Sequence, residues 1–149
     1  MNDTAPLDVA IGCDHAGFPL KAPLVAALVA AGHRVLDMGT SGPGRVDYPD
    51  HAHPVCAAVE SGRARFGVLI CGSGIGMSIA ANRHGGIRCV LAGDATAARL
   101  GRAHNDANVL ALGARLTGEE VALDALAAFL ATAFEGGRHV GRLAKLTPA

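Results

Sequence analysis

The feature that most restricts this chain is a repeated switch between two hydrophobic periods. Short apolar runs recur along it, and between them the apolar positions return at helical spacing. Residues 9–13 (VAIGC) are the first run. Residues 18–31 then place Leu20, Leu24, Ala27, Leu28 and Ala31 on one helical face, and Gly32 ends that helix. Residues 34–38 (RVLDM) read as a second strand, 39–50 (GTSGPGRVDYPD) as a loop, and 52–61 as a helix. Residues 66–70 (FGVLI) lack polar alternation, the pattern of a strand buried on both faces. A Gly-rich turn over 71–76 opens a helix that reaches about residue 83. A strand over 88–91, a helix over 94–104, a strand over 109–112 and a helix from Thr117 to about 134 follow. Thr117 with Glu120 three residues on is a capping-box pattern.

Strand and helix in strict alternation predict an α/β fold. The expected architecture is a three-layer, Rossmann-like open parallel sheet of about five strands, with helices on both faces and right-handed crossovers. Residues 1–149 read as one domain, with no repeat and no linker. The composition suits this: 50% hydrophobic and 17% charged residues argue against disorder. Aromatics are only 3%, so the core must be Val, Leu, Ile and Ala, which favours close helix-on-sheet packing.

Lys and Arg number 13, as do Asp and Glu, so the net charge is zero. Nothing attracts nucleic acid or an anionic membrane in bulk, and any anion site must be local. Residues 1–6 lack the basic and apolar regions of a signal peptide, and the apolar stretch 121–134 is interrupted by Asp124. A soluble, cytoplasmic protein is expected. The cysteines at 13, 56, 71 and 89 show no CxxC pairing, so neither disulfides nor a structural zinc are expected. Cys56 and Cys89 lie in apolar segments and read as inert core residues.

Sheets of this kind bind ligands at the carboxyl ends of their strands. Asp14, His15, Asp47, Cys71, Ser73, His104 and Asn105 are expected to gather there. The turn Cys71-Gly72-Ser73-Gly74-Ile75-Gly76 follows a buried strand and opens a helix. Its small side chains let backbone amides face a phosphate or a developing oxyanion; a plain tight turn is the alternative. It lacks the Lys of a Walker loop and the third Gly of a dinucleotide fingerprint. Cys71 is either a thiol activated by the helix terminus or a small residue ending a strand. Asp14 could cap the next helix, and His104-Asn105-Asp106 could be a polar helix end. Asp47-Tyr48-Pro49-Asp50 could be a turn with Asp50 as N-cap. His51 and His53 with Asp50 form a poor metal set, since i and i+2 diverge on a helix. Arg115, Arg138 and Arg142, with His139, are either a phosphate-binding set or a solvated basic tail behind Gly136-Gly137.

The ordered motifs Gly12-Cys13-Asp14-His15-Ala16-Gly17, Asp47-Tyr48-Pro49, Cys71–Gly76, His104-Asn105-Asp106-Ala107-Asn108 and Gly136-Gly137-Arg138-His139 resemble the ribose-5-phosphate isomerase B family. That family also includes galactose-6-phosphate and allose-6-phosphate isomerases. The resemblance covers about residues 7–146. It implies interconversion of ribose 5-phosphate and ribulose 5-phosphate through an enediolate, in the non-oxidative pentose phosphate pathway, with no metal and no organic cofactor. It implies a homodimer, or a dimer of such dimers, with active sites at the subunit interface. Cys71 would be the base, and Ser73 with the amides of Gly72, Gly74, Ile75 and Gly76 the oxyanion hole. His104, helped by Asn105, would open the sugar ring. Asp14 would hold sugar hydroxyls and Tyr48 line the sugar pocket. His15, Arg115, Arg138 and Arg142 would bind the phosphate, some of them from the partner subunit. Ser73 stands where many members carry Thr, and His51 where an aromatic is common; both bear on the choice of sugar. Another four- to six-carbon sugar phosphate is the nearest alternative substrate. A phosphosugar sensor without turnover, and a metal-dependent hydrolase using Asp14, His15, His51 and His104, are the rival classes.

Overall fold

The structure is a computed structural model, and it describes residues 5–149. The N-terminal stretch read for a signal peptide lies largely outside the described residues. Five strands and six helices follow one another as β1 (Asp8–Cys13), α1 (Phe18–Ala30), β2 (Arg34–Asp37), α2 (Tyr48–Glu60), β3 (Phe66–Cys71), α3 (Ile75–Ala81), β4 (Cys89–Leu91), α4 (Ala95–Asn105), β5 (Val109–Gly113), α5 (Glu119–Ala131) and α6 (Arg138–Leu143). The strands form one sheet in the order β2-β1-β3-β5-β4, with every pairing parallel. This is the three-layer α/β architecture the alternating periods predict.

The central strands explain the layering. Every residue of β3 is buried, and successive side chains serve opposite faces. Val68 and Ile70 join a cluster with Leu24 and Leu28 of α1, Ala98 of α4 and Leu126 and Phe129 of α5. Leu69 and Cys71 join the other cluster, with Val55 and Cys56 of α2 and Met77 of α3. Small residues let the layers close up. A Cβ at Gly67 would lie 2.7 Å from the Val55 side chain, so α2 sits directly on the sheet there. Among the described residues, no helix is long and apolar enough to cross a membrane.

Several element ends differ from the sequence reading. Helix α2 begins at Tyr48, and Asp47, not Asp50, is its N-cap residue. Pro49 stands in the first turn, where its missing N–H costs nothing, and Asp50 there suits the helix dipole. Helix α3 stops at Ala81, short of residue 83. Helix α5 starts after Gly118 with no side-chain cap, so Thr117 and Glu120 do not form the expected capping box. Thr117 is instead buried, and its N–H donates to the Gly113 carbonyl at 2.9 Å. The basic tail is not a free extension: it folds as α6, entered through Gly136 (φ 67°) and Gly137 (φ 57°), both in the left-handed region that favours Gly. Cys89 is half-buried on the edge strand β4 rather than in the core.

The direction of α4 decides which end of the sheet His104 and Asn105 occupy. Helix α4 leaves the carboxyl end of β4, capped by Asp94, and returns to the amino end of β5. His104 and Asn105 are its last residues. They therefore lie at the opposite end of the sheet from Cys71, not beside it. Cys71 pairs in register with Gly113, and Gly67 with Val109, so the two ends are separated by about 13 Å of strand.

Candidate active site

The carboxyl ends of β1, β3 and β5 enclose a cavity of about 410 Å³. Asp14 leaves β1 into it and is buried. Its Oδ1 accepts from the Gly17 N–H at 2.9 Å, which fixes the carboxylate as the cap of the turn before α1. The neighbouring His15 accepts at Nδ1 from the Val46 N–H at 3.2 Å. The neutral ring therefore carries its proton on Nε2. Nothing in the sequence marked Val46 for this role, because its contribution is a backbone amide.

Cys71 ends β3 and is 5% exposed. Its Sγ accepts from the Gly74 N–H at 3.1 Å. Gly74 has φ 77°, and a Cβ there would meet the Leu91 side chain at 2.6 Å and the Leu112 backbone at 2.9 Å. Only Gly can make this turn, and the turn is what aims an amide at the sulfur. Ser73 Oγ accepts from the Ile75 N–H at 3.2 Å. The Ile75 amide is thus engaged, while the other first-turn amides of α3 have no intrahelical partner.

Two further residues close the cavity. The Tyr48 ring lies over Gly76, where an added Cβ would fall 2.7 Å from it. Arg115 follows β5; its N–H donates to the Gly72 carbonyl at 2.9 Å, and its guanidinium lies beside Gly72. A buried thiol, a carboxylate, a hydroxyl, an imidazole and a guanidinium thus share one pocket. The other three thiols lie outside this cavity. Burial pushes Cys56 up to about 12, helped by the Glu60 charge. Burial likewise pushes Cys89 to about 12, and raises Cys13. These three stay protonated and inert at neutral pH.

His104, Asn105, Arg138 and Arg142 are not in this cavity. His104 stacks on His139 of α6, ring centroids 4.5 Å apart at 17°. Arg138 and Arg142 are exposed on the same short helix. Asn105 borders a second cavity along β4 with Arg88 and Leu143. The remaining motif residues there are structural: Asp106 holds the helix end with Arg102 at 2.8 Å, and Asn108 ties β5 to Arg88 and Gly86. Neither the residues of the metal-hydrolase reading nor the Asp50-His51-His53 set comes together at metal-ligand spacing among the described residues. His51 Nδ1 sits on the Met38 carbonyl at 3.1 Å, and His53 Nδ1 on His84 Nε2 at 2.8 Å. Asp14 and His15 are at one end of the sheet and His104 at the other.

Residues 9–146 match the Ribose/Galactose Isomerase family. The ribose-5-phosphate isomerase B of Escherichia coli (strain K12) is 48% identical over 139 residues, covering 93% of this chain and 93% of that protein. The D-erythrulose-4-phosphate isomerase of Pectobacterium atrosepticum is 38% identical over 141 residues, 94% of this chain and 93% of that one. The solved structure of Clostridium thermocellum ribose-5-phosphate isomerase B aligns with a TM-score of 0.93 at 45% identity, over 94% of this chain and 95% of that one. A near-full-length match, an aligned fold and a thiol seated in a Gly-rich turn agree: the chain belongs to the ribose/galactose isomerase family.

Proposed function

We propose that this isomerase interconverts ribose 5-phosphate and ribulose 5-phosphate through an enediolate, with Cys71 as the base. The observation that carries the reading is the thiol at the end of β3. It is nearly sealed from water, faced by the Gly74 amide, and placed in one cavity with Ser73, Asp14, Tyr48, His15 and Arg115.

The chemistry follows from what the reaction needs. A proton beside a carbonyl is weakly acidic, so the base must act in a dry site and the oxyanion must be met by fixed donors. Cys71 takes the proton from C2 of the open aldose and returns it to C1. The amides of Gly72 and Gly76, with the Ser73 hydroxyl, hold the enediolate oxygen, while the Gly74 and Ile75 amides shape the turn through their bonds to Cys71 and Ser73. One such donor is typically worth about 3 kcal/mol. Asp14 and Tyr48 hold the sugar chain, while His15 and Arg115 take the phosphate. Binding at the unreactive end fixes the reacting carbon.

Ring opening by His104 and Asn105, and further phosphate binding by Arg138 and Arg142, require those residues at the same substrate. About 13 Å of strand separates the two ends within one chain. The reading therefore needs a homodimer in which the amino end of one chain completes the carboxyl end of its partner, alone or as a dimer of dimers. The enzyme acts in the cytoplasm, in the non-oxidative pentose phosphate pathway, with no metal in the reaction.

The test is kcat/KM of the chelator-treated protein on ribose 5-phosphate, allose 6-phosphate, galactose 6-phosphate and a four-carbon ketose phosphate. Preference for ribose 5-phosphate is expected. Preference for the four-carbon substrate would keep the mechanism and change the sugar, and no turnover on any would favour a sensor.

A further inference from the structure

The geometry points to a binding site for a divalent transition-metal ion of the Zn²⁺ type, formed by His104, Glu135 and His139, whose occupancy removes His104 from the reaction. The binding part stands on the structure; the inhibitory part rests on the proposed role of His104.

The donors come from three segments that meet below the sheet: the last turn of α4, the linker after α5, and α6. The ligating atoms all lie within 4.8 Å of one another. Glu135 Oε2 is 3.5 Å from His139 Nε2 and 4.0 Å from His104 Nε2. A tetrahedral ion with bonds near 2.0–2.1 Å sets its donors about 3.3 Å apart, so the Glu135 oxygen already stands near that separation from both imidazole nitrogens. The backbone beneath is fixed in advance. The Glu135 N–H donates to the Ala103 carbonyl at 3.0 Å, and Arg102 Nε to the Thr132 carbonyl at 3.2 Å.

A second observation points to a ligand. The His139 side chain is 6% exposed, and its Nε2 is buried with no hydrogen-bond partner among the described residues. Buried polar atoms normally have partners, and the Glu135 carboxylate at 3.5 Å makes no hydrogen bond to this nitrogen, so it is open to a ligand. The two rings stack nearly parallel, which keeps their lone pairs from converging. His104, at 37% exposed, is the one with room to turn out of the stack. Two imidazoles and one carboxylate suit Zn²⁺, Ni²⁺ or Cu²⁺ and not Mg²⁺, which prefers oxygen. A bound ion occupies the His104 nitrogen, which then neither accepts nor gives a proton at a sugar ring.

Equilibrium dialysis of the metal-free full-length protein against ZnCl₂ tests the site, and turnover in the same solutions tests its consequence. Wild type should bind zinc at micromolar concentration and lose turnover reversibly, with recovery on chelation and no response to MgCl₂. Glu135→Gln and His139→Gln should each weaken binding by at least the ~10–100-fold that losing an outer-shell partner already costs. Glu135→Gln should keep its turnover without zinc and need correspondingly more zinc for half inhibition. Should His139→Gln fail to fold, the exposed Glu135 position carries the test alone. No zinc binding by wild type, or equal binding and inhibition in the variants, overturns the site. Zinc bound at these residues by a protein without isomerase activity would overturn the functional reading and leave the site standing.

Discussion

The two ends of the sheet are built by different means. At the carboxyl end, backbone conformation does the positioning. A left-handed Gly74 presents an amide to Cys71, a Val46 amide sets the His15 tautomer, and Gly17 holds Asp14. At the amino end, side chains stand on the last turn of a helix and on a six-residue helix behind two glycines. His104, Arg138 and Arg142 are more exposed there, and His104 stacks on the His139 ring. One end is a pocket; the other is a set of projecting groups.

The sharpest way to break this contrast is to remove the thiol. Cys71→Ala should lower kcat by at least the ~10²–10⁴-fold typical of a lost general base, with phosphate binding and melting temperature near wild type. Near-normal turnover would end the base assignment. Mixing comes next in size. Cys71→Ala and His104→Ala chains, each inactive on the cyclic sugar, should recover about a quarter of wild-type activity when co-expressed, since half of a random two-fold dimer population then holds one intact site of two. Absence of recovery would mean that both ends serve one chain's own pocket. His104→Ala alone should reduce turnover of ring-closed substrate far more than of an acyclic one; equal losses would remove its ring-opening role.

The smallest expected effect lies at the amino end, on the last residue of α2. Glu60 accepts from the Gly86 N–H at 2.9 Å, and this bond, with the nearby His84, lowers its carboxyl from the ordinary value of 4.5. A lowered folded value stabilises above the unfolded one and is lost as pH falls through the folded one. Glu60→Gln should therefore cost a little melting temperature at pH 7, with the difference from wild type shrinking as pH falls below 4.5 and vanishing once the folded carboxyl is protonated. A constant difference across that range would mean the carboxylate charge is irrelevant.

The strands were legible because their burial is written in composition: FGVLI is unbroken by polar residues and proves buried throughout. The pocket residues at strand ends were legible for the same reason, since a strand end fixes where the next residue stands. Tyr48 was misplaced into a loop because Asp-Tyr-Pro-Asp reads as a turn, although Pro in a first helical turn signals the same segment as a helix start. Helix α6 was missed because its stability comes from packing on α4, which no local period records. The placement of His104 and Asn105 failed on direction: residues just before a parallel strand belong to its amino end. The Glu135–His139 pair had a signal, their spacing of four, but the intervening glycines hid it.

The ring of Tyr48 lying over Gly76 has an evolutionary consequence. A methyl group at position 76 would press into the ring at 2.7 Å, and the half-exposed ring would have to swing toward solvent, taking one wall of the pocket with it. Neither position can drift alone without altering the space left for a sugar. In any lineage descended from such a chain, substitutions at 48 and 76 should arrive as a pair, and a change in preferred sugar length is the event expected to mark their joint arrival.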